Sequence, residues 1–180
     1  MEIIETGLEG LLVLKPKIFP DKRGYFVETY NQSKLPDFIT KRPFVQDNES
    51  KSTYGVLRGL HYQTGDAAQS KLVRVILGEV MDVVLDLREH SRTYGSIFTI
   101  ILNDKEKEML YVPRGFAHGY ITLSPEAIFA YKCDNYYSPQ HEGGIHVLDP
   151  NLGIDWRIDR DKIIISDKDM RLKNFNEQKL

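Results

Sequence analysis

Four stretches in the middle of the chain are dense in β-branched and aromatic residues: "LVRVILGEVMDVVLDL" (72–87), "SIFTIILND", "EMLYVPRGFAHGYITLS" and "AIFAYKCDNYYS". Each is bounded by Gly, Pro, Asn, Asp or Ser, the residues that end strands and build turns. The gaps between them hold no helix of the roughly 10 residues that a parallel crossover needs. The pattern therefore predicts a mainly β fold, an antiparallel sandwich or barrel with a few short helices. Within the first stretch, Gly78-Glu79 is the signal of a two-residue hairpin. Helix is expected only in "SKLPDFI" (33–39) and in the tail that begins "SDKDMRL" (166–172).

With 180 residues, 41% of them hydrophobic, the chain can fill one core, so residues 1–180 are read as a single domain. An N-terminal arm of about residues 1–50 differs in texture, with two prolines and a turn at Asp21–Gly24 in "KPKIFPDKRGYFVETYNQ". Such an arm is expected to add a strand to this sheet or to a partner's, which points to a homodimer. The 24 basic and 26 acidic residues lie in no long block of one sign, which argues against nucleic acid or an anionic membrane as partner. No apolar run approaches the roughly 20 residues of a membrane span. The acidic start "MEIIETGLEG" is unlike a signal peptide, so a cytoplasmic location is expected. Cys133 is the single cysteine, which excludes an internal disulfide and a multi-cysteine metal site.

Chemistry-bearing residues collect in three places. "VLRGLHYQ" (56–63) sets Arg58 and His61 in one strand, where strict alternation would point them to opposite faces. Gly59 between them marks a bulge or a close backbone approach, and a bulge would turn both toward one cavity. "YVPRGFAHGY" (111–120) holds Arg114 and His118 beside a proline and two glycines, which reads either as a tight turn with a surface arginine or as part of a site. Two histidines on separate strands also raise a metal site, but the His-x-His pair usual in a small metal-binding barrel is missing. "YKCDNYY" offers Tyr131, Tyr136 and Tyr137, ordinary strand aromatics whose hydroxyls are also able to give a proton opposite a histidine. Asp169 has two readings: a helix-start residue capped by Ser166, or a carboxylate that orients a histidine.

In order, "DKRGYFVE", "QDN", "LRGLHYQ", "QSKLVRV", "GEVMDVVLDLR", "YVPRGFAHGY", "YSPQHEGGI", "DPNLGIDW" and "SDKD" resemble the dTDP-4-dehydrorhamnose 3,5-epimerase family across nearly the whole chain. The resemblance implies a cupin-like jelly roll, a homodimer, and neither metal nor organic cofactor. It implies inversion at C3 and C5 of a 4-keto-6-deoxyhexose carried on dTDP, a step toward dTDP-L-rhamnose. By motif position, His61 is similar to the family's base, Asp169 to its paired carboxylate, Tyr131 to its proton donor and Lys71 to a lysine beside the sugar. Arg23, Glu28, Gln46, Asn48, Arg58, His118, Tyr137, Glu142 and Lys168 match positions that contact the nucleotide sugar. Arg23 and Glu28, on the arm, are expected at a neighbouring subunit's site. Related scaffolds epimerise C3 alone or isomerise a 3,4-keto sugar, and a non-catalytic nucleotide-sugar-binding cupin is the alternative outside enzymes.

Overall fold

A computed structural model describes residues 1–178. Its strands are β1 (Glu2–Glu5), β2 (Leu12–Lys15), β3 (Ile18–Asp21), β4 (Gly24–Val27), β5 (Gln46–Thr53), β6 (Val56–Gln63) and β7 (Lys71–Leu77), then β8 (Glu79–Asp86), β9 (Ile97–Asn103), β10 (Met109–Val112), β11 (Phe116–Thr122), β12 (Glu126–Cys133), β13 (Glu142–Gly144) and β14 (Ile164–Ile165). One sheet runs β1-β2-β10-β7-β12-β5 and the other β13-β6-β11-β8-β9; β3 and β4 form a separate hairpin. Pairing is antiparallel throughout both sheets, except that β14 lies parallel to β6. This is the predicted mainly β architecture, a cupin-like jelly roll. Residues before the first proline supply β1 and β2 to the first sheet, whereas the proline-bearing stretch itself forms the β3–β4 hairpin, which pairs with neither sheet.

The inner strands β8, β10 and β11 are buried on both faces, which explains why their sequences are nearly continuous apolar runs, while the edge strands β1 and β5 are largely exposed. Between the sheets lie Val13, Val73, Val75, Val84, Leu110, Phe116, Tyr120 and Phe129. Behind the second sheet, Met81, Val83, Leu85 and Ile121 pack on Ile145, Val147 and Trp156 of the C-terminal segment. Outside the first sheet, Leu12, Leu14, Leu72, Met109 and Tyr111 are covered by Leu35 and Ile39. No helix of the described residues is long and apolar enough to cross a membrane.

The hairpin expected at Gly78-Glu79 does not form. β7 and β8 belong to different sheets, and Gly78 is the corner where the chain crosses between them. Its φ of +82° suits glycine, and a Cβ there would come within 2.2 Å of the Glu126 carbonyl oxygen. A two-residue glycine signal marks a sharp reversal but not the sheet the chain enters next. Both helix expectations shrink to single turns. Pro36 holds Leu35 extended and leaves one α-turn, α1 (Asp37–Thr40), while the tail contributes a 3-10 turn at Asp169–Arg171.

The loop after β8 is closed by an ionic knot. Asp86, fully buried, accepts from Arg88 Nε (2.8 Å) and Nη2 (2.7 Å), Ser91 Oγ (2.7 Å) and Thr93 Oγ1 (2.7 Å). Burial pushes its carboxyl up, but the Arg88, Thr93 and Ser91 bonds outweigh it and bring it down to about 2. The folded value is below the unfolded one, so the knot stabilises above about pH 4 and this contribution fades as pH falls toward 2. Asp86→Asn is expected to cost about 2 kcal/mol at pH 7. Urea denaturation of both proteins from pH 7 to 2 checks this, and the gap should narrow with acid.

Candidate active site

The break in alternation expected at Gly59 is present. His61 lies opposite His118 and Arg58 opposite Tyr120, so two residues of β6, Gly59 and Leu60, stand against one of β11, Gly119. That bulge sits at Gly59, whose φ is +127° and whose added Cβ would fall 2.6 Å from the Gly119 Cα. The Gly59–Leu60 peptide is cis. Arg58 and His61 both line one cavity of about 760 Å³, which Asn48, Lys71, His118, Tyr131, Lys168 and Asp169 also line. An adjoining cavity of about 230 Å³ shares Asn48, His61, Lys71 and Tyr131 with it and adds Gln46, Tyr137 and Glu142. The two are halves of one cleft between the open ends of the sheets.

His61 Nε2 is 2.7 Å from Asp169 Oδ1, with the carboxylate almost buried. Asp169 has two partners: its backbone N–H bonds the Ser166 hydroxyl at 3.1 Å, while its side chain turns to His61. Burial pushes the Asp169 carboxyl up, but His61, the Gly59 backbone and Ser166 outweigh this and leave it below the usual carboxylate range. Tyr131 enters from β12 and Lys71 from β7, both strands of the first sheet, whereas His61 comes from β6 of the second. Burial raises the Tyr131 phenol, which keeps its proton at neutral pH. Burial lowers the Lys71 ammonium, against the pull of Cys133, Asp82 and Glu142, and its Nζ stands 5.9 Å from the Tyr131 ring centre.

At the mouth, Glu142 Oε2 accepts from Lys168 Nζ at 2.6 Å and from the Tyr137 hydroxyl at 2.7 Å. The Tyr137 and Ser138 amides are tied down by the side-chain oxygens of Gln46 and Gln63, each at 2.9 Å. Arg23 and Glu28 stand apart from the cleft: Arg23 pairs with Asp21 in the β3–β4 turn, and Glu28 with Lys34. Arg114 is not a cleft residue either. It lies in the turn between β10 and β11, paired with the buried Asp134 at 2.9 Å.

Sequence reasoning missed Asp82. It is fully buried on β8, with both oxygens within 3.0 Å of His118 Nε2. Burial pushes its carboxyl up, against the pull of His118 and Lys71. The signal was a lone acid inside the apolar run "VMDVVL", because a carboxylate is buried only where a partner awaits it. Among the described residues, no group of three or more His, Cys, Asp or Glu side chains is placed to hold a metal ion.

The family model for dTDP-4-dehydrorhamnose 3,5-epimerase matches residues 5–177. The chain belongs to this epimerase family. A dTDP-4-dehydrorhamnose 3,5-epimerase of Methanothermobacter thermautotrophicus is 46% identical over 175 residues, covering 97% of this chain and 94% of the relative. The crystal structure of dTDP-4-dehydrorhamnose 3,5-epimerase from Elizabethkingia anophelis superimposes with a TM-score of 0.93 at 46% identity, covering 100% of this chain and 99% of that one. The dTDP-6-deoxy-D-glucose-3,5-epimerase of Legionella pneumophila, solved in complex with dTDP-4-keto-L-rhamnose, gives 0.92 at 44% identity, with 98% and 93% covered. Family membership thus extends over the whole jelly roll and its cleft.

Proposed function

We propose that the protein is a dTDP-4-dehydro-6-deoxy-D-glucose 3,5-epimerase that supplies the dTDP-L-rhamnose route. The observation that carries this reading is the His61–Asp169 pair in a cleft whose opposite wall presents Tyr131 and Lys71. The hydrogens at C3 and C5 flank the C4 ketone, so each is acidic enough for a positioned base to remove. His61 takes the proton; Asp169 holds the ring and stabilises the positive charge it gains. The electron pair moves onto the C4 oxygen, where a hydrogen-bond donor is needed, and Lys71 and His118 line the same cavity. Tyr131 then gives its proton to carbon from the other face, and the centre inverts.

The remaining cleft residues suit the nucleotide. Arg58 and Lys168 fit the diphosphate, and the Tyr137 ring offers a flat surface for a base. Gln46, Asn48 and Glu142 supply donors and acceptors around the sugar and nucleoside. A homodimer accounts for Arg23 and Glu28: the β3–β4 hairpin, with Arg23 in its turn and Glu28 just past its end, exposes Phe19, Tyr25 and Phe26, an apolar surface fit to dock on a second copy and to bring both charges to its cleft. The enzyme works in the cytoplasm on a soluble nucleotide sugar.

Incubation with the 4-keto substrate in D2O tests the reading. Deuterium is expected at both C3 and C5, read by NMR. Exchange at neither carbon would refute it, and exchange at C3 alone would make the protein a 3-epimerase.

A further inference from the structure

Arg58 does not stand in the cleft by itself. Its Nε donates to the Ser52 hydroxyl at 3.1 Å, and that hydroxyl lies 3.2 Å from the Tyr120 hydroxyl, which is 2.9 Å from Ser50 Oγ. Arginine can only donate, so Ser52 must accept from it, and the Ser52 proton is then available to the Tyr120 oxygen. In both hydroxyl contacts of Tyr120, with Ser52 and with Ser50, either oxygen can be the donor, so the network holds whichever way the protons lie. Ser52 and Tyr120 are both buried, and the Tyr120 ring is stacked on Phe129 with centroids 4.2 Å apart, so the anchor is rigid. Arg58 itself is exposed, and an unanchored arginine there would sample many rotamers.

We infer that Ser52, with Tyr120 behind it, is a positioning residue that holds the Arg58 guanidinium ready for the substrate's diphosphate. This inference rests on the reading of Arg58 as diphosphate anchor. Ser52 does not line the cleft, so it acts through Arg58 and not by contact with substrate. Pre-organising a charged donor improves affinity because less freedom is lost on binding, while the proton transfers at His61 and Tyr131 are untouched.

The test is a double-mutant cycle with steady-state kinetics on the nucleotide sugar and calorimetry with dTDP. Ser52→Ala is expected to raise KM and the dTDP Kd roughly tenfold, as loss of a charge-assisted hydrogen bond does, with kcat within about twofold. Tyr120→Phe keeps the stacked ring and is expected to cost about threefold. In an Arg58→Ala background, Ser52→Ala should add nothing. If Ser52→Ala costs as much with Arg58 absent as with it present, the positioning role is wrong while the anchor reading stands. An Arg58→Ala enzyme with unchanged KM would overturn the anchor reading and the positioning role together.

Discussion

Replacing His61 with alanine or asparagine is expected to slow epimerisation by roughly 10²- to 10⁴-fold, the usual worth of a positioned proton-transfer group. The reaction has no other route for the carbon-bound proton if His61 is the base, so wash-in of deuterium at C3 and C5 should fall with turnover. The two variants separate chemistry from folding. Alanine leaves the nearly buried Asp169 carboxylate without its ring partner, which costs about 1 to 3 kcal/mol of stability besides the lost rate. Asparagine returns an amide donor to Asp169 but provides no base, so it should fold more stably and remain as slow. Binding of dTDP should change little in either. Exchange near the wild-type rate in the asparagine variant would remove His61 from the role.

Arg58 and His61 show how far the sequence reaches and where it stops. Period-two alternation would point them to opposite faces, and Gly59 marked the place where a bulge could bring them together; the bulge opposite Gly119 is there. Sheet class was legible for a similar reason, since short apolar runs with turn residues between them have few other ways to bury their faces. Sheet partnership was not. Gly78-Glu79 has the chemistry of a hairpin turn, yet β7 pairs with β10 and β12 while β8 pairs with β9 and β11, a choice made by long-range packing. The same limit hid Asp82, whose partner His118 lies 36 residues on. Asp169 was legible only as two separate readings, because a side chain and its own backbone amide are able to serve different partners. Arg23 and Glu28 were reached through family motifs alone, and one chain brings neither to the cleft.

Tyr131→Phe is expected to slow product formation by a comparable factor, yet to leave a different trace. Tyr131 and His61 enter the cleft from different sheets, so a sugar held between them meets base on one face and phenol on the other. Without the phenol, His61 still takes a proton, exchanges it with solvent and returns it to the same face. That restores the original configuration and leaves deuterium behind. The phenylalanine variant should therefore incorporate deuterium into unreacted substrate faster than it forms product, whereas the His61 variants should do neither. The ring is packed beside Phe129, at 6.3 Å between centroids, and phenylalanine preserves that contact, so loss of fold is not the cause of the lost rate. NMR of the recovered substrate gives the ratio of exchange to inversion directly. If that ratio in Tyr131→Phe equals the wild-type ratio, the phenol is not the acid, and the proton must reach carbon from another group in the cleft.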